Sequence, residues 1–256
     1  MSHRPRKRFG QNFLHDPNII RRIVGSIAPT PGDNIVEIGP GQGAMTFPVL
    51  AACGKLTAIE LDRDLVKLLG ETAPADAELT VISLDALKAD FSTFGEDLRV
   101  IGNLPYNISS PLMFHLLDFA AHIRDMHFML QKEVVDRMTA APGSKTYGRL
   151  SVMIQALCSA EKLFDVPPGA FFPPPAVDSS IVRLVPHTPE QIPPHDPDRF
   201  ARVVAQSFAQ RRKTLRNNLK HLVTAEAMES IGIAPSERAE NLSVEDFFRL
   251  SRVATP

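Results

Sequence analysis

The chain has 256 residues, 44% of them hydrophobic and 22% charged, a balance that excludes a disordered or fibrous protein. Its two cysteines lack C-x-x-C spacing, which argues against a disulfide framework or a zinc site and suits a reducing cytoplasm. No apolar run could span a membrane, and the basic first fourteen residues lack the apolar core of a secretory signal. We therefore expect a cytoplasmic protein that holds no metal.

The first 185 residues alternate short β-branched runs with longer helical patterns. This alternation predicts an α/β fold in which right-handed crossovers connect a mainly parallel sheet. Strands are predicted at 34–38, 55–61, 79–83, 99–102, 126–130 and 180–185, and the clearest helices at 62–69, 110–120 and 132–139.

Prolines become dense after this region, in one cluster at 167–175 and a second at 186–197. Most of this stretch cannot be helical, since proline lacks a backbone donor. The first cluster is predicted to be a loop that feeds the last strand, and the second a linker. Helical spacing resumes at Arg199. The sequence therefore predicts two domains, a sheet domain at 1–185 and a small helical domain at 186–256.

A glycine-rich loop, EIGPGQG at 37–43, follows the first predicted strand. Gly39, Gly41 and Ala44 fit the dinucleotide fingerprint, whereas Glu37 together with Gly39, Gly41 and Gly43 fits the loop of S-adenosylmethionine-dependent methyltransferases. A tight turn without a ligand is the third interpretation. The loop alone does not decide among them.

Two acidic residues follow the next two strands. Glu60 ends the second strand, where a carboxylate can accept hydrogen bonds from both ribose hydroxyls, and Asp85 follows the third. Asp85 either contacts an adenine amino group or simply caps a turn. Ligands of open α/β sheets bind outside the carboxyl ends of the strands, and these ends carry the glycine loop and both acids.

The tetrapeptide NLPY at 103–106 follows the fourth strand. In the strand order common to such sheets, Asn103 lies beside Gly39. An adenine exocyclic amine is a poor nucleophile because its lone pair is delocalised. The Asn103 side-chain oxygen and the Leu104 carbonyl can accept its two hydrogens, while Tyr106 stacks on the base and Pro105 fixes the turn. The alternative is an ordinary proline turn.

Four ordered motifs closely resemble the ribosomal RNA adenine dimethyltransferases, with the best match in the bacterial small-subunit branch. They are KRFGQNFL at 7–14, EIGPGQG at 37–43, NLPYNIS at 103–109 and FFPPPAVDS at 171–179. The resemblance covers essentially the whole chain, including RRKTLRNNL at 211–219. It implies a Rossmann-like methyltransferase domain with a small helical RNA-binding domain.

The resemblance also implies a role for each matching position. Asn103, Leu104, Pro105, Tyr106 and Phe172 match the catalytic segment and the aromatic that sandwiches the target base. The positions that match cofactor contacts are Gln11, Asn12, Leu14, Gly39, Gly41, Glu60, Asp85 and Asn103. Without the resemblance, Phe171 and Phe172 would be assigned to core packing. The implied cofactor is S-adenosylmethionine, and the implied reaction is dimethylation of two adjacent adenosines in a hairpin loop near the 3′ end of 16S rRNA.

Two basic segments stand out against the net charge of −1. The first contains Arg4, Arg6, Lys7 and Arg8; the second, between 199 and 221, carries seven cations and no acid, among them Arg211, Arg212, Lys213 and Arg216. Such segments either bind a phosphate backbone or form a solvated helix face. We expect 16S rRNA in the assembling 30S subunit to be the partner of a monomeric enzyme.

Three alternatives remain open on the sequence. The chain could be a dimethyltransferase of large-subunit RNA, of the antibiotic-resistance class. It could act mainly as a non-catalytic ribosome assembly factor. A nicotinamide oxidoreductase would use Gly39, Gly41, Ala44 and Glu60, but it leaves the NLPY segment unexplained.

Overall fold

The computed structural model describes residues 11–105 and 108–255. The chain forms two compact units, the first made of 1–135 and 161–186, the second of 136–160 and 187–256. One boundary between the units falls near 186, at the start of the second proline cluster. The segment 136–160 differs, because it belongs to the second unit rather than to the sheet domain. Its buried residues Ala140, Tyr147, Val152 and Ala156 join the hydrophobic core formed by the helices of the C-terminal segment.

The strands in the described residues are β1 (Phe13–Leu14), β2 (Asn34–Ile38), β3 (Lys55–Glu60), β4 (Glu78–Ser83), β5 (Leu98–Asn103), β6 (Ile123–Gln131), β7 (Cys158–Val166), β8 (Phe171–Phe172) and β9 (Ser179–Pro186). The six predicted strands are all present, with small changes at their ends. The sequence analysis did not predict β1, β7 and β8.

The helices in the same residues are α1 (Pro17–Ile27), α2 (Thr46–Cys53), α3 (Arg63–Thr72), α4 (Ser109–Leu117), α5 (Lys132–Met138), α6 (Arg149–Gln155), α7 (Pro197–Ser207), α8 (Leu215–Asn218), α9 (Ala225–Ser230) and α10 (Val244–Val253). Local chemistry fixes several of these starts. Asp16 caps α1 ahead of Pro17, and Asp62 caps α3 through the amide of Asp64. Within the described residues, no helix is long and apolar enough to cross a membrane.

The large sheet has the strand order β4-β3-β2-β5-β6-β9-β7. The pairings β4 to β3, β3 to β2, β2 to β5 and β5 to β6 are parallel, and β9 runs antiparallel to β6. The predicted α/β architecture is therefore confirmed. Because β2 and β5 are neighbours, the loops that follow them lie side by side at the carboxyl edge of the sheet, where the chain reverses its direction of winding.

Each unit has its own hydrophobic core. In the first, buried residues of α1, α2 and the central strands pack together, among them Ile23, Val49 and Ile101. In the second, α6, α7 and α10 all contribute buried side chains, including Val152, Val203 and Phe247. The sheet core holds β2, β3 and β5 rigidly, and this fixes the ends of the strands that carry the predicted site.

Candidate active site

A cavity of about 340 Å³ opens at the carboxyl edge of β2, β3 and β5. This volume is within the range of roughly 300–1,000 Å³ found for small-molecule sites. Ten of the residues that the sequence singled out line it: Gln11, Asn12, Leu14, Gly39, Gly41, Glu60, Asp85, Asn103, Leu104 and Pro105. Phe172 is not part of this lining, and Tyr106 lies outside the described residues.

The glycine loop brings its backbone against the cavity. Gly39 has φ +67° and Gly41 has φ +59°, a region that side chains rarely adopt. A Cβ atom at Gly41 would lie 3.2 Å from the ring of Phe13, so the loop has no room for a side chain on that face. The amide of Gly39 donates to the carbonyl of Ile59 at 2.9 Å, which fastens the loop to β3.

Glu60 is held in a fixed orientation at the end of β3. Its carboxylate accepts hydrogen bonds from the amide of Asp62 at 2.8 Å and from the amide of Gly41 at 3.3 Å. Burial raises the pKa of Glu60, and these two donors oppose the rise. The carboxylate thus connects the glycine loop with the start of α3 while it faces the cavity.

Asp85 caps a turn, one of the two interpretations that the sequence left open, and it also lines the cavity. Its Oδ1 accepts from the amide of Leu87 at 3.1 Å and so caps a short 3₁₀ turn. The same side chain is half-buried in the lining of the cavity. Capping orients the carboxylate without removing it from the site.

Asn103 ends β5 beside the glycine loop. A Cβ on Gly39 would lie 3.7 Å from the carbonyl oxygen of Asn103, which places the two residues next to each other as the strand order predicts. The Asn103 Nδ2 donates to the carbonyl of Asn12 at 3.1 Å. This bond engages the NH2 group of the Asn103 side chain. The side-chain oxygen therefore points away from Asn12.

The residues after Asn103 form a turn with its own hydrogen bonds. The Leu104 amide donates to the carbonyl of Met129 on β6 at 3.2 Å, and the Leu104 side chain is buried. The Ile108 amide donates to the Pro105 carbonyl at 3.2 Å. Both ends of the turn are thereby fixed, and this is the arrangement needed for a backbone carbonyl to serve as an acceptor.

The paired aromatics separate into one buried and one exposed side chain. Phe171 is 3% exposed and Phe172 is 66% exposed. Core packing, the assignment made from residue type alone, is therefore right for Phe171 and wrong for Phe172, because adjacent residues of a strand point to opposite faces. The strand β8 that holds them pairs with β1, with Phe13 opposite Phe172 and Leu14 opposite Phe171.

Two residues of the lining, Phe13 and Glu37, were not singled out as site residues from the sequence. The Phe13 ring packs over Gly41, and the neighbouring Gln11, which was predicted, donates to Asp62 at 3.3 Å. Phe13 stands between two residues of a recognised motif, which was an available signal. Glu37 was noted only as the first letter of its motif, yet it lines the cavity with no exposed surface.

The cavity is acidic. Among the described residues, its lining includes the carboxyl groups of Glu37, Glu60 and Asp85 and no lysine, arginine or histidine. Burial raises the pKa of Glu37 to about 7. Such a lining suits a ligand that carries positive charge, as the sulfonium of S-adenosylmethionine does, and it disfavours a dinucleotide pyrophosphate. The residues present therefore fit the methyl donor.

The second unit carries the predicted basic segment. Arg212, Lys213 and Arg216 are exposed, whereas Arg211 pairs with Glu240 at 3.1 Å. Arg4, Arg6, Lys7 and Arg8 lie outside the described residues.

The chain is similar to known proteins over nearly its whole length. The family described as "Ribosomal RNA adenine dimethylase" matches residues 2–255. The "Ribosomal RNA small subunit methyltransferase A" of Acidithiobacillus ferrooxidans is 55% identical, over 97% of this chain and 94% of that protein. A crystal structure of a dimethyladenosine transferase from Plasmodium falciparum is similar with a TM-score of 0.80 and 26% identity, over 94% of this chain and 99% of the other. The 23S rRNA methyltransferase ErmE is similar with a TM-score of 0.75 and 25% identity, over 94% and 98%.

The fold and the acidic cavity beside Asn103 define a Rossmann-like, S-adenosylmethionine-dependent methyltransferase. The chain belongs to the ribosomal RNA adenine dimethylase family. It is an rRNA adenine dimethyltransferase whose cofactor is S-adenosylmethionine, and the oxidoreductase interpretation is not favoured.

Proposed function

We propose that this enzyme dimethylates the N6 amines of two adjacent adenosines in a hairpin loop near the 3′ end of 16S rRNA. The main support for this proposal is the orientation of the Asn103 side-chain amide. Its Nδ2 donates to the carbonyl of Asn12 at the edge of an acidic cavity. The choice of the small subunit is supported by the 55% identical relative, which is named for that subunit.

The chemical step follows from the positions of these side chains. The Asn103 oxygen and the Leu104 carbonyl accept the two hydrogens of the target amine, so that its lone pair points at the methyl group. Bound S-adenosylmethionine supplies that methyl group and the leaving group. Tyr106 and the exposed ring of Phe172 stack on the base, and Pro105 stiffens the turn. Transfer then depends on positioning and electrostatics.

Cofactor contacts are assigned along the cavity. Gly39 and Gly41 approach the methionine part, the Glu60 carboxylate accepts from the ribose hydroxyls, and Asp85 accepts from the adenine amino group. Gln11, Asn12 and Leu14 close over the ligand from the N-terminal segment. This order is supported by the sequence of strand ends around the cavity, β2 first, then β3 and β4.

The RNA partner follows from the reaction and the charge distribution. A target base must leave its stack to reach the pocket, which favours a loop over a duplex. Arg4, Arg6, Lys7, Arg8, Arg211, Arg212, Lys213 and Arg216 are assigned to the phosphate backbone. We propose a monomer that acts in the cytoplasm on the assembling 30S subunit, with 1–185 as the catalytic part and 186–256 as the RNA-binding part.

A single assay tests this assignment. Unmodified small subunits and unmodified large subunits are each incubated with the protein and a methyl-labelled donor, and the digested RNA is read by mass spectrometry. Dimethyladenosine at two adjacent positions of the small-subunit RNA is the expected product. Label in the large subunit alone would favour the activity named for ErmE. No label on either, with normal binding to small subunits, would favour a non-catalytic assembly factor.

A further inference from the structure

Glu37 is a buried carboxyl group in the wall of the cavity, with 0% exposure. Among the residues that the structure describes, neither of its carboxyl oxygens has a partner with hydrogen-bond geometry. The hydroxyl of Thr46, the first residue of α2, is also buried and unpaired. Buried polar groups are nearly always hydrogen-bonded, so this pair requires an explanation.

Among the described residues that line the cavity, none offers Glu37 a positive charge. In the sheet it lies between Ala58 of β3 and Ile101 of β5. The charged groups in the described lining besides Glu37 are Glu60 at the end of β3 and Asp85 after β4. From α2 the Thr46 hydroxyl lies close enough to favour the ionised form of Glu37.

These surroundings favour the protonated form of Glu37 in the free protein. Burial raises its pKa to about 7, Glu60 adds to the rise, and the nearby Thr46 hydroxyl opposes it. Near neutral pH the carboxyl therefore exchanges its proton readily, and a cation in the cavity would shift it to the ionised form.

We propose that Glu37 distinguishes the positively charged methyl donor from the uncharged product by releasing its proton when the donor binds and regaining one after transfer. The O–H bond of the carboxyl breaks and the proton passes to solvent as the sulfonium enters. When the methyl group bonds to the target amine, its C–S bond breaks and the sulfonium becomes a thioether. The methylated amine releases one N–H proton to solvent, and a proton returns from solvent to the Glu37 carboxylate. Glu37 thus acts as a positioning residue through its charge.

The consequence concerns the repeated reaction. Each adenosine receives two methyl groups in the proposed function, on which this inference rests, so spent cofactor must leave between transfers. A carboxylate that stabilises only the charged methyl donor gives the spent product a lower affinity as soon as the methyl group is transferred. Release of the product is then coupled to methyl transfer.

Calorimetric titration tests the proton release directly. S-adenosylmethionine and S-adenosylhomocysteine are titrated at pH 6.5 into the wild-type protein and into Glu37→Gln, each in phosphate and in Tris, whose ionisation enthalpies differ. Glu37 is expected to release roughly 0.7 proton per donor bound and none per product bound. The donor's own amine titrates in both proteins, so the difference between wild type and variant isolates Glu37.

Affinities across pH give a second readout. As the pH increases toward 7, the ratio of the Kd of the product to that of the donor should increase by up to about tenfold per pH unit, and above pH 7 it should level off. The reason is that only the ionised form of Glu37 favours the donor. In Glu37→Gln this dependence should disappear, and in Glu37→Asp it should persist. Thermal melting checks that the variants fold, and the two-buffer comparison on wild type stands without them.

Each outcome decides a different question. Equal proton counts for donor and product in the wild type, or an unchanged pH dependence in folded Glu37→Gln, would overturn the role of Glu37 and leave the methyltransferase assignment intact. Failure of the donor to bind even the wild type would overturn the assignment itself, and the Glu37 proposal with it.

Discussion

The amide of Asn103 is oriented before any substrate arrives, because its Nδ2 donates to the Asn12 carbonyl. Asn103→Ala removes the acceptor for the target amine but leaves the glycine loop and Glu60 in place. We expect kcat to fall about 10²- to 10³-fold, the range for loss of one preorganised polar contact, and the donor Kd to rise by a smaller factor, because Asn103 also lines the cofactor cavity. Steady-state methylation and donor titration measure the two quantities. An equal loss in kcat and donor affinity would assign Asn103 to cofactor binding instead.

Phe171 and Phe172 form a matched pair for a second test. Phe172→Ala removes an exposed ring, so the melting temperature should hold while the Kd for unmodified small subunits rises roughly 5- to 150-fold, the value of one base stack. Phe171→Ala empties a core position and should cost about 3–5 kcal/mol of unfolding free energy. Unfolding curves and RNA titration on both variants check this. Unchanged RNA affinity in Phe172→Ala would remove the stacking role.

His127 should make the protein less stable at acid pH. It is buried on β6, with no hydrogen bond to either ring nitrogen among the described residues and with Asp125 at 3.8 Å from Nδ1. Burial, together with Arg99 and Arg183, lowers its pKa to about 4 against the opposing effect of Asp125. The unfolded chain takes up this proton near pH 6.5, so stability is complete above that pH and falls as the pH drops toward 4.

The resulting prediction compares two proteins. Between pH 7.5 and pH 5, wild type should lose about 2 kcal/mol more unfolding free energy than His127→Gln, which has no proton to gain. Urea unfolding at the two pH values measures the difference. Parallel losses in both proteins would mean that other groups cause the acid sensitivity.

At the scale of single residues, the sequence predicted which residues lie together at the edge of the sheet when their place depends only on where a strand ends. Gly39, Glu60, Asp85 and Asn103 converge because parallel strands bring their carboxyl ends to one edge. The exposure of Phe172 could not be predicted from residue type, because it depends on which face of β8 packs against the core that buries Phe171. The burial of Glu37 without a partner also depends on tertiary packing.

At the scale of elements, the predicted strands were those with strong β-branched runs. The strands β1 and β8 have two residues each and exist only because they pair with each other across the chain. The strand β7 is longer, but it includes Glu161 and Lys162, which obscure an apolar alternation. Tertiary pairing rather than local preference creates these three elements.

The close approach of β2 and β5 gives a prediction at this scale. A Cβ at Gly102 would lie 2.5 Å from the Ile38 carbonyl oxygen, a backbone atom that cannot move aside. Gly102→Ala should therefore cost about 2–3 kcal/mol of unfolding free energy and disturb the adjacent site. Gly25 in α1 has open space around its Cα, so Gly25→Ala should instead stabilise by about 0.5–1 kcal/mol. Denaturant unfolding compares them, and similar effects in both would refute the steric argument.

At the scale of the whole molecule, the two units differ from the predicted domains because each of them consists of two separate segments. One boundary between the units falls near 186, in the proline-rich stretch. The segment 136–160, which also belongs to the second unit, is not marked by a comparable change in composition. Its apolar residues could not be assigned from sequence, since Val152 and Ala156 would fit either core until their partners in the second unit are known.

Charge distribution carries the last prediction. The net charge of −1 is the sum of two basic segments and an acidic remainder of the chain. In the second unit, Arg212, Lys213 and Arg216 are exposed. Replacing these three with glutamine should weaken binding to unmodified small subunits and reduce the slope of log K against log salt by about 2, near 0.7 per lost phosphate contact.

Filter binding across salt concentrations measures that slope. Arg211→Gln should change it less, because Arg211 already pairs with Glu240, and Lys67→Gln, which removes an exposed cation of α3, should leave it unchanged. An unaltered slope in the triple variant would mean that the segment is a solvated helix face and that the phosphate backbone binds elsewhere. Donor affinity should stay constant throughout, because the cavity lining lies wholly in the first unit.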